Sequence, residues 1–177
     1  IQSIPANDVL GTAFVTGASG ATVASLFSGL TNTGTDADVG SSPIGFARSG
    51  SSFVNATVNG GADGEASRAY GLTVTNGSNS GVSTTEGTQI FLYQVSSTLV
   101  IGRVGTEAGA TDTANSNGVI AFAIATNPVT GEVYTAQYLS LNHPNGTLPN
   151  ETITLTNGAV QMTLSVTDKD GDTASSS

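Results

Sequence analysis

The residues most able to do chemistry in this chain are carboxylates set in turns. The tightest group is Asp168-Lys169-Asp170-Gly171-Asp172, leaving an alternating run of apolar residues. Three carboxylates at alternate positions around a glycine can converge oxygens on one hard cation, and Ca²⁺ takes about six to eight oxygens in a flexible shell. Without a cation the same charges repel, and the plain alternative is a solvated acidic turn. The group lacks the flanking helices and distal Glu of an EF-hand, so it is expected as a calcium site in a loop. Two further acidic turns lie upstream, Asp36-Ala37-Asp38 and Gly60-Gly61-Ala62-Asp63-Gly64-Glu65, with glycines nearby that let carbonyls approach a cation. Each alone also reads as an ordinary surface turn, since Asp and Gly favour turns for local reasons. Glu107 and Asp112, in a Gly/Ala/Asn loop, form a weaker fourth cluster. The candidate metal ligands are therefore Asp36, Asp38, Asp63, Glu65, Asp168, Asp170 and Asp172, with Ca²⁺ as the expected cofactor.

Other chemistries have little to work with. Four basic residues against 13 acidic ones give a net charge of -9 across 177 residues, which disfavours nucleic acid and anionic membranes as partners. There is no Cys, hence no disulfide, thiolate zinc site or thiol nucleophile. His143 is the single imidazole and sits in the turn Asn142-His143-Pro144, with no Gly-x-Ser-x-Gly elbow to partner it. A glycosidase carboxylate pair would lack aromatic walls, with no Trp in the chain. The Gly60–Gly64 run does not open a helix after a strand, so it fails as a phosphate cradle. A non-enzymatic binding module is expected. Threonine rows such as Thr152-Ile153-Thr154-Leu155-Thr156 read as a solvent face of a strand.

The elements that must hold these residues are mostly strands. Alternation and β-branched enrichment predict strands near Val9–Val15, Ser52–Val58, Tyr70–Thr75, Gln89–Val95, Thr98–Val104, Gly118–Ala125, Glu132–Leu141, Glu151–Leu155 and Ala159–Thr167. Asn76-Gly77, Asn145-Gly146 and Asn157-Gly158 mark tight turns, and the last, between two alternating runs, predicts a hairpin. Val23, Leu26, Phe27 and Leu30 fall at helical spacing, after possible caps at Ser19 or Thr22, and predict one short helix. The fold class expected is mainly β: an antiparallel β-sandwich with one short helix and calcium-binding loops. Residues 1–172 are expected as one domain and 173–177 as a polar linker; the start at Ile1, without a Met or signal peptide, reads as an excised module.

The order of several pieces is more specific than any one of them. Gly61-Ala62-Asp63-Gly64 is followed by Thr84-Thr85-Glu86-Gly87-Thr88-Gln89-Ile90-Phe91-Leu92 and then by Val100-Ile101-Gly102-Arg103-Val104. Ala121-Phe122-Ala123-Ile124, Thr130-Gly131-Glu132-Val133 and Gln137-Tyr138-Leu139-Ser140-Leu141-Asn142-His143-Pro144 come next, and Val166-Thr167-Asp168-Lys169-Asp170-Gly171-Asp172-Thr173 closes the series. This series resembles the peptide-binding, or ligand-binding, domain of the long repeats-in-toxin (RTX) adhesins of Gram-negative bacteria, over most of the chain after about Gly60. The resemblance implies a calcium-bound β-sandwich at the bacterial cell surface, secreted with neighbouring adhesin domains in the same chain. Its partners would be free C-terminal ends of peptides or proteins on host or neighbouring cells, held partly through calcium. On that reading Asp63 and Glu65 lie at the ligand-proximal calcium, Asp168, Asp170 and Asp172 hold a structural calcium, and Asp63, Arg68, Tyr70 and Asp112 contact or flank the peptide. A calcium-stiffened spacer and a calcium-dependent lectin are the alternatives.

Overall fold

The computed structural model describes residues 8–50, 64–143 and 153–176. Among them the chain forms β1 (Asp8–Val9), β2 (Gly45–Arg48), β3 (Glu65–Thr73), β4 (Ser78–Ser83), β5 (Gln89–Ser96), β6 (Leu99–Val104), β7 (Ile120–Thr126), β8 (Val133–Gln137), β9 (Gln161–Asp168) and β10 (Thr173–Ser176). The fold is mainly β with antiparallel sheets: a seven-stranded sheet in the order β1-β2-β8-β7-β6-β5-β4, and a three-stranded sheet in the order β10-β9-β3.

Strand β7 lies at the centre of the large sheet and is buried at every position. Its alternation sorts side chains to two faces. Ala123 and Ala125 join Ile101, Tyr134 and Ala136 in one apolar cluster, together with Val15, Val23 and Phe27 from the N-terminal segment. Phe122 and Ile124 face the other way, with Ile90, Leu92 and Val100, and there Leu72 of β3 and half-buried Met162 of β9 pack against them. The small sheet is thus tied to the large one through apolar side chains. A core buried on both sides needs a near-continuous apolar strand, which Ile120-Ala121-Phe122-Ala123-Ile124-Ala125 supplies.

The predicted helix is a single 3₁₀ turn, Ala24–Leu26. Its apolar face is used as expected, with Val23 and Phe27 buried. The backbone bonds instead run from residue i+3 to i, as in Leu26 N to Val23 O and Phe27 N to Ala24 O. Ser25 and Ser28 hydroxyls donate to the carbonyls of Thr22 and Ser25, competing with the bonds a longer helix would need. The expected cap at Thr22 does engage this turn, since its Oγ1 accepts from Ser25 N.

Three other expectations are corrected. Of the predicted Val9–Val15 strand only Val9 lies in a strand, β1, because the chain turns at Gly11, where a Cβ would lie 2.7 Å from the Phe46 ring. Asn157-Gly158 is a turn but not a hairpin: residues 153–156 lie outside any strand, and Thr156 N donates to Ser80 O of β4. Residues 173–176, expected as linker, pair with β9 as β10. The Asn76-Gly77 turn is in place and carries the chain from the small sheet to the large one. The predicted strand Ser52–Val58, the turn Asn145-Gly146 and the start of the predicted Glu151–Leu155 strand fall outside the described residues.

Candidate metal centre

The acidic group at the end of β9 is the loop of the β9–β10 hairpin. Thr167 pairs with Thr173, so residues 168–172 form the connection. Asp168 N donates to Asp172 O at 3.0 Å, and Asp168 Oδ1 accepts from Gly171 N at 3.0 Å and Asp172 N at 2.9 Å. Gly171 adopts φ 99°, a left-handed geometry that strains any side chain, which is why glycine stands between the last two aspartates. The result brings one oxygen from each of Asp168, Asp170 and Asp172 within 4.8 Å of the others. Ca²⁺–oxygen distances of about 2.3–2.6 Å place two ligands of one ion at most about 5 Å apart, so this spacing fits a single shared cation.

Asp168 is half-buried, while Asp170 and Asp172 are exposed. The Asp168 carboxyl is held below the usual carboxylate range, first by a hydrogen bond with the Asp170 side chain and then by the backbone N–H groups of Asp172, Gly171 and Asp170, against some desolvation. All three side chains offer hard carboxylate oxygen, the donor type a divalent cation such as Ca²⁺ takes.

Strand pairing brings a second acidic stretch to the same place. In β3, Glu65 is the register partner of Asp168, with a bulge between Glu65 and Ser67. Gly64 lies next to the hairpin, so that a Cβ there would sit 3.7 Å from Lys169 Nζ. The Arg68 guanidinium grips Glu65 through both Nε and Nη2, each at 2.6 Å. That bond is the main cause holding the Glu65 carboxyl below its usual range. Glu65 and then Tyr70 hold Arg68 above its already high range. Tyr70 itself is buried with Leu164 and Val166, so its ring is a packing residue. Asp63 lies outside the described residues.

The remaining candidates stand elsewhere. Asp36 is half-buried and structural in its contacts. Its Oδ1 accepts from Asp38 N at 3.0 Å, and Ser140 donates to Oδ2 from both its N and its hydroxyl. The Ser140 hydroxyl is the leading cause that lowers the Asp36 pKa. Asp38 is exposed. Among the described residues, the hairpin aspartates form the one group of three acids with metal-ligand spacing. Asp112 fixes the 105–118 loop to β5 by accepting from Gln89 N at 2.6 Å, and with Glu107 and Glu86 it lines a concavity of about 500 Å³. Sequence reasoning assigned Glu86 no role, since only folding places it opposite Glu107. It likewise missed the buried Glu132, whose carboxylate accepts from Tyr134 Oη at 2.9 Å.

The match to known families begins before the first well-buried residue, Val15, and runs to the last residue, spanning 12–177. The chain belongs to the family described as a domain of unknown function, DUF5801. No curated protein matches it. No solved structure matches it either. The DUF5801 region takes in the hairpin aspartates, Glu65 and Arg68, the Asp36 turn and the 105–118 loop. It also takes in residues 173–177, in keeping with β10 as part of the sheet.

Proposed function

We propose that this DUF5801 domain is a calcium-dependent binding module of an exported RTX-type adhesin, a β-sandwich that captures the free C-terminal end of a partner polypeptide at the bacterial cell surface. The observation that carries the reading is the hairpin in which Asp168, Asp170 and Asp172 present oxygens within 4.8 Å of one another. The residues fit Ca²⁺ in type, since all three offer hard carboxylate oxygen. A bound Ca²⁺ would supply local positive charge on a surface that otherwise repels anions. Arg68 stands on β3 two register positions from the Glu65–Asp168 pair, opposite Val166, and is the described guanidinium nearest that turn in the sheet. A cation with a neighbouring guanidinium is suited to a terminal carboxylate. The sandwich reading is supported by the cluster that Leu72 and Met162 share with the large sheet.

A second reading, calcium as a stiffener of the module and its joints, is favoured by one observation. The clefts of about 270 and 500 Å³ that the described residues form at Ser78 and at Glu86 are not lined by the hairpin aspartates. Binding of the purified domain to short peptides with free C-termini, in calcium and in chelator, with amidated copies as controls, separates the two. Retention of free-ended peptides only in calcium is expected. Retention that survives chelator and amidation overturns the proposal, and no retention at all reduces the domain to a stiffened spacer.

A further inference from the structure

At the far end of β9 from the aspartates, the two Asn-Gly turns stand side by side. Thr73 of β3 pairs with Gln161 of β9, and Thr156 N donates to Ser80 O at 2.8 Å, which locks the Asn157-Gly158 turn against the start of β4. Between the turns lies a cleft of about 270 Å³. Its polar wall is made by Thr73, Thr75, Ser78, Asn157 and Gln161, with Val74 and Ala159 as aliphatic patches, and no charged residue lines it. The Ser78 hydroxyl is buried and has no hydrogen-bond partner among the described residues.

Each feature restricts the ligand. A wall of hydroxyls and carboxamides without charge gives an ionic ligand no counter-ion, yet offers donors and acceptors to a neutral one. Aliphatic patches beside it suit a ring with C–H faces and hydroxyl edges. The volume lies just under the range of about 300–1,000 Å³ usual for small-molecule pockets, which limits the occupant to one such ring. An orphaned hydroxyl costs stability unless something bonds to it, and a serine reaches a new partner by turning about one bond. We propose that this cleft binds a single neutral sugar unit, independently of calcium. The site shares no residue with the aspartate hairpin, so its fate is separate from that of the function proposed above.

The test is an amide chemical-shift titration of the domain with a panel of neutral methyl glycosides, run in chelator. At least one glycoside is expected to shift residues 73–79 and 156–161 and few others, with the same affinity after calcium is added. Ser78→Ala should weaken that glycoside by about five-fold, roughly the worth of one neutral hydrogen bond. The same substitution should leave the melting temperature unchanged or raise it, because it deletes an unpartnered buried hydroxyl. Thr75→Tyr, at an exposed position on the mouth, should abolish the shifts without unfolding the domain. The proposal fails if no glycoside shifts these residues, if the shifts lie elsewhere, or if both variants bind as the parent does.

Discussion

In β7 every position from Ile120 to Thr126 is buried, whereas in β10 every position from Thr173 to Ser176 is exposed. The two strands show how one chain separates stability from charge. The centre of the large sheet is packed on both faces, and a charge there would lose its hydration with nothing to replace it. The hairpin end of the small sheet is wet, so three carboxylates can stand together at low desolvation cost and keep oxygens free for a ligand. The small sheet is held to the large one away from that end, through Leu72, Met162 and their apolar neighbours and through backbone bonds from Tyr70 N to Pro128 O and Leu72 N to Ser97 O.

The contrast can be broken most sharply at the centre. Leu92 is fully buried, and Leu92→Ala should cost about 2–5 kcal/mol by denaturant unfolding. A loss under about 1 kcal/mol would mean that the centre does not carry the fold. Tyr134→Phe should cost less, about 1–3 kcal/mol, by removing the hydroxyl that satisfies buried Glu132. A neutral effect would show that water takes over that carboxylate.

Acid probes the polar end. Asp36, Glu65 and Asp168 all have folded pKa values below the ordinary carboxylate values of 3.8 and 4.5. Their stabilising contribution is complete above those unfolded values and is lost as pH falls through the lower folded ones. Melting temperature in chelator should therefore be insensitive to these groups near neutrality and should fall as pH drops below about 4. Stability that rises on the same acidification would place repulsion among the carboxylates above their hydrogen bonds. The smallest effect is expected from Arg68→Gln, since an exposed ion pair adds little to folding. The melting temperature should hardly move, while peptide capture should weaken; capture equal to the parent's would remove Arg68 from the binding site.

What could be read from the sequence follows the same division. Strands β5, β6, β7 and β9 were legible because long apolar or alternating runs must be buried in sheets. Strands β2, β4 and β10 were not, being short and dominated by small or polar residues, with Phe46 and Val82 as their only large apolar side chains. The aspartate triad was legible because its three members are neighbours in sequence. The meeting of Glu65 with Asp168 was not, since it depends on which strands pair. The Glu65–Arg68 grip was hidden for a further reason. Residues three apart point to opposite faces of a regular strand, and the bulge between Glu65 and Ser67 removes that constraint.

The most direct test is calorimetric titration of calcium into the chelator-treated domain and into an Asp170→Asn, Asp172→Asn variant. The parent should bind calcium and gain melting temperature with it, and the variant should lose at least one binding event together with most of that gain. Equal calcium binding by parent and variant, or none by either, would contradict a cation at the β9–β10 hairpin.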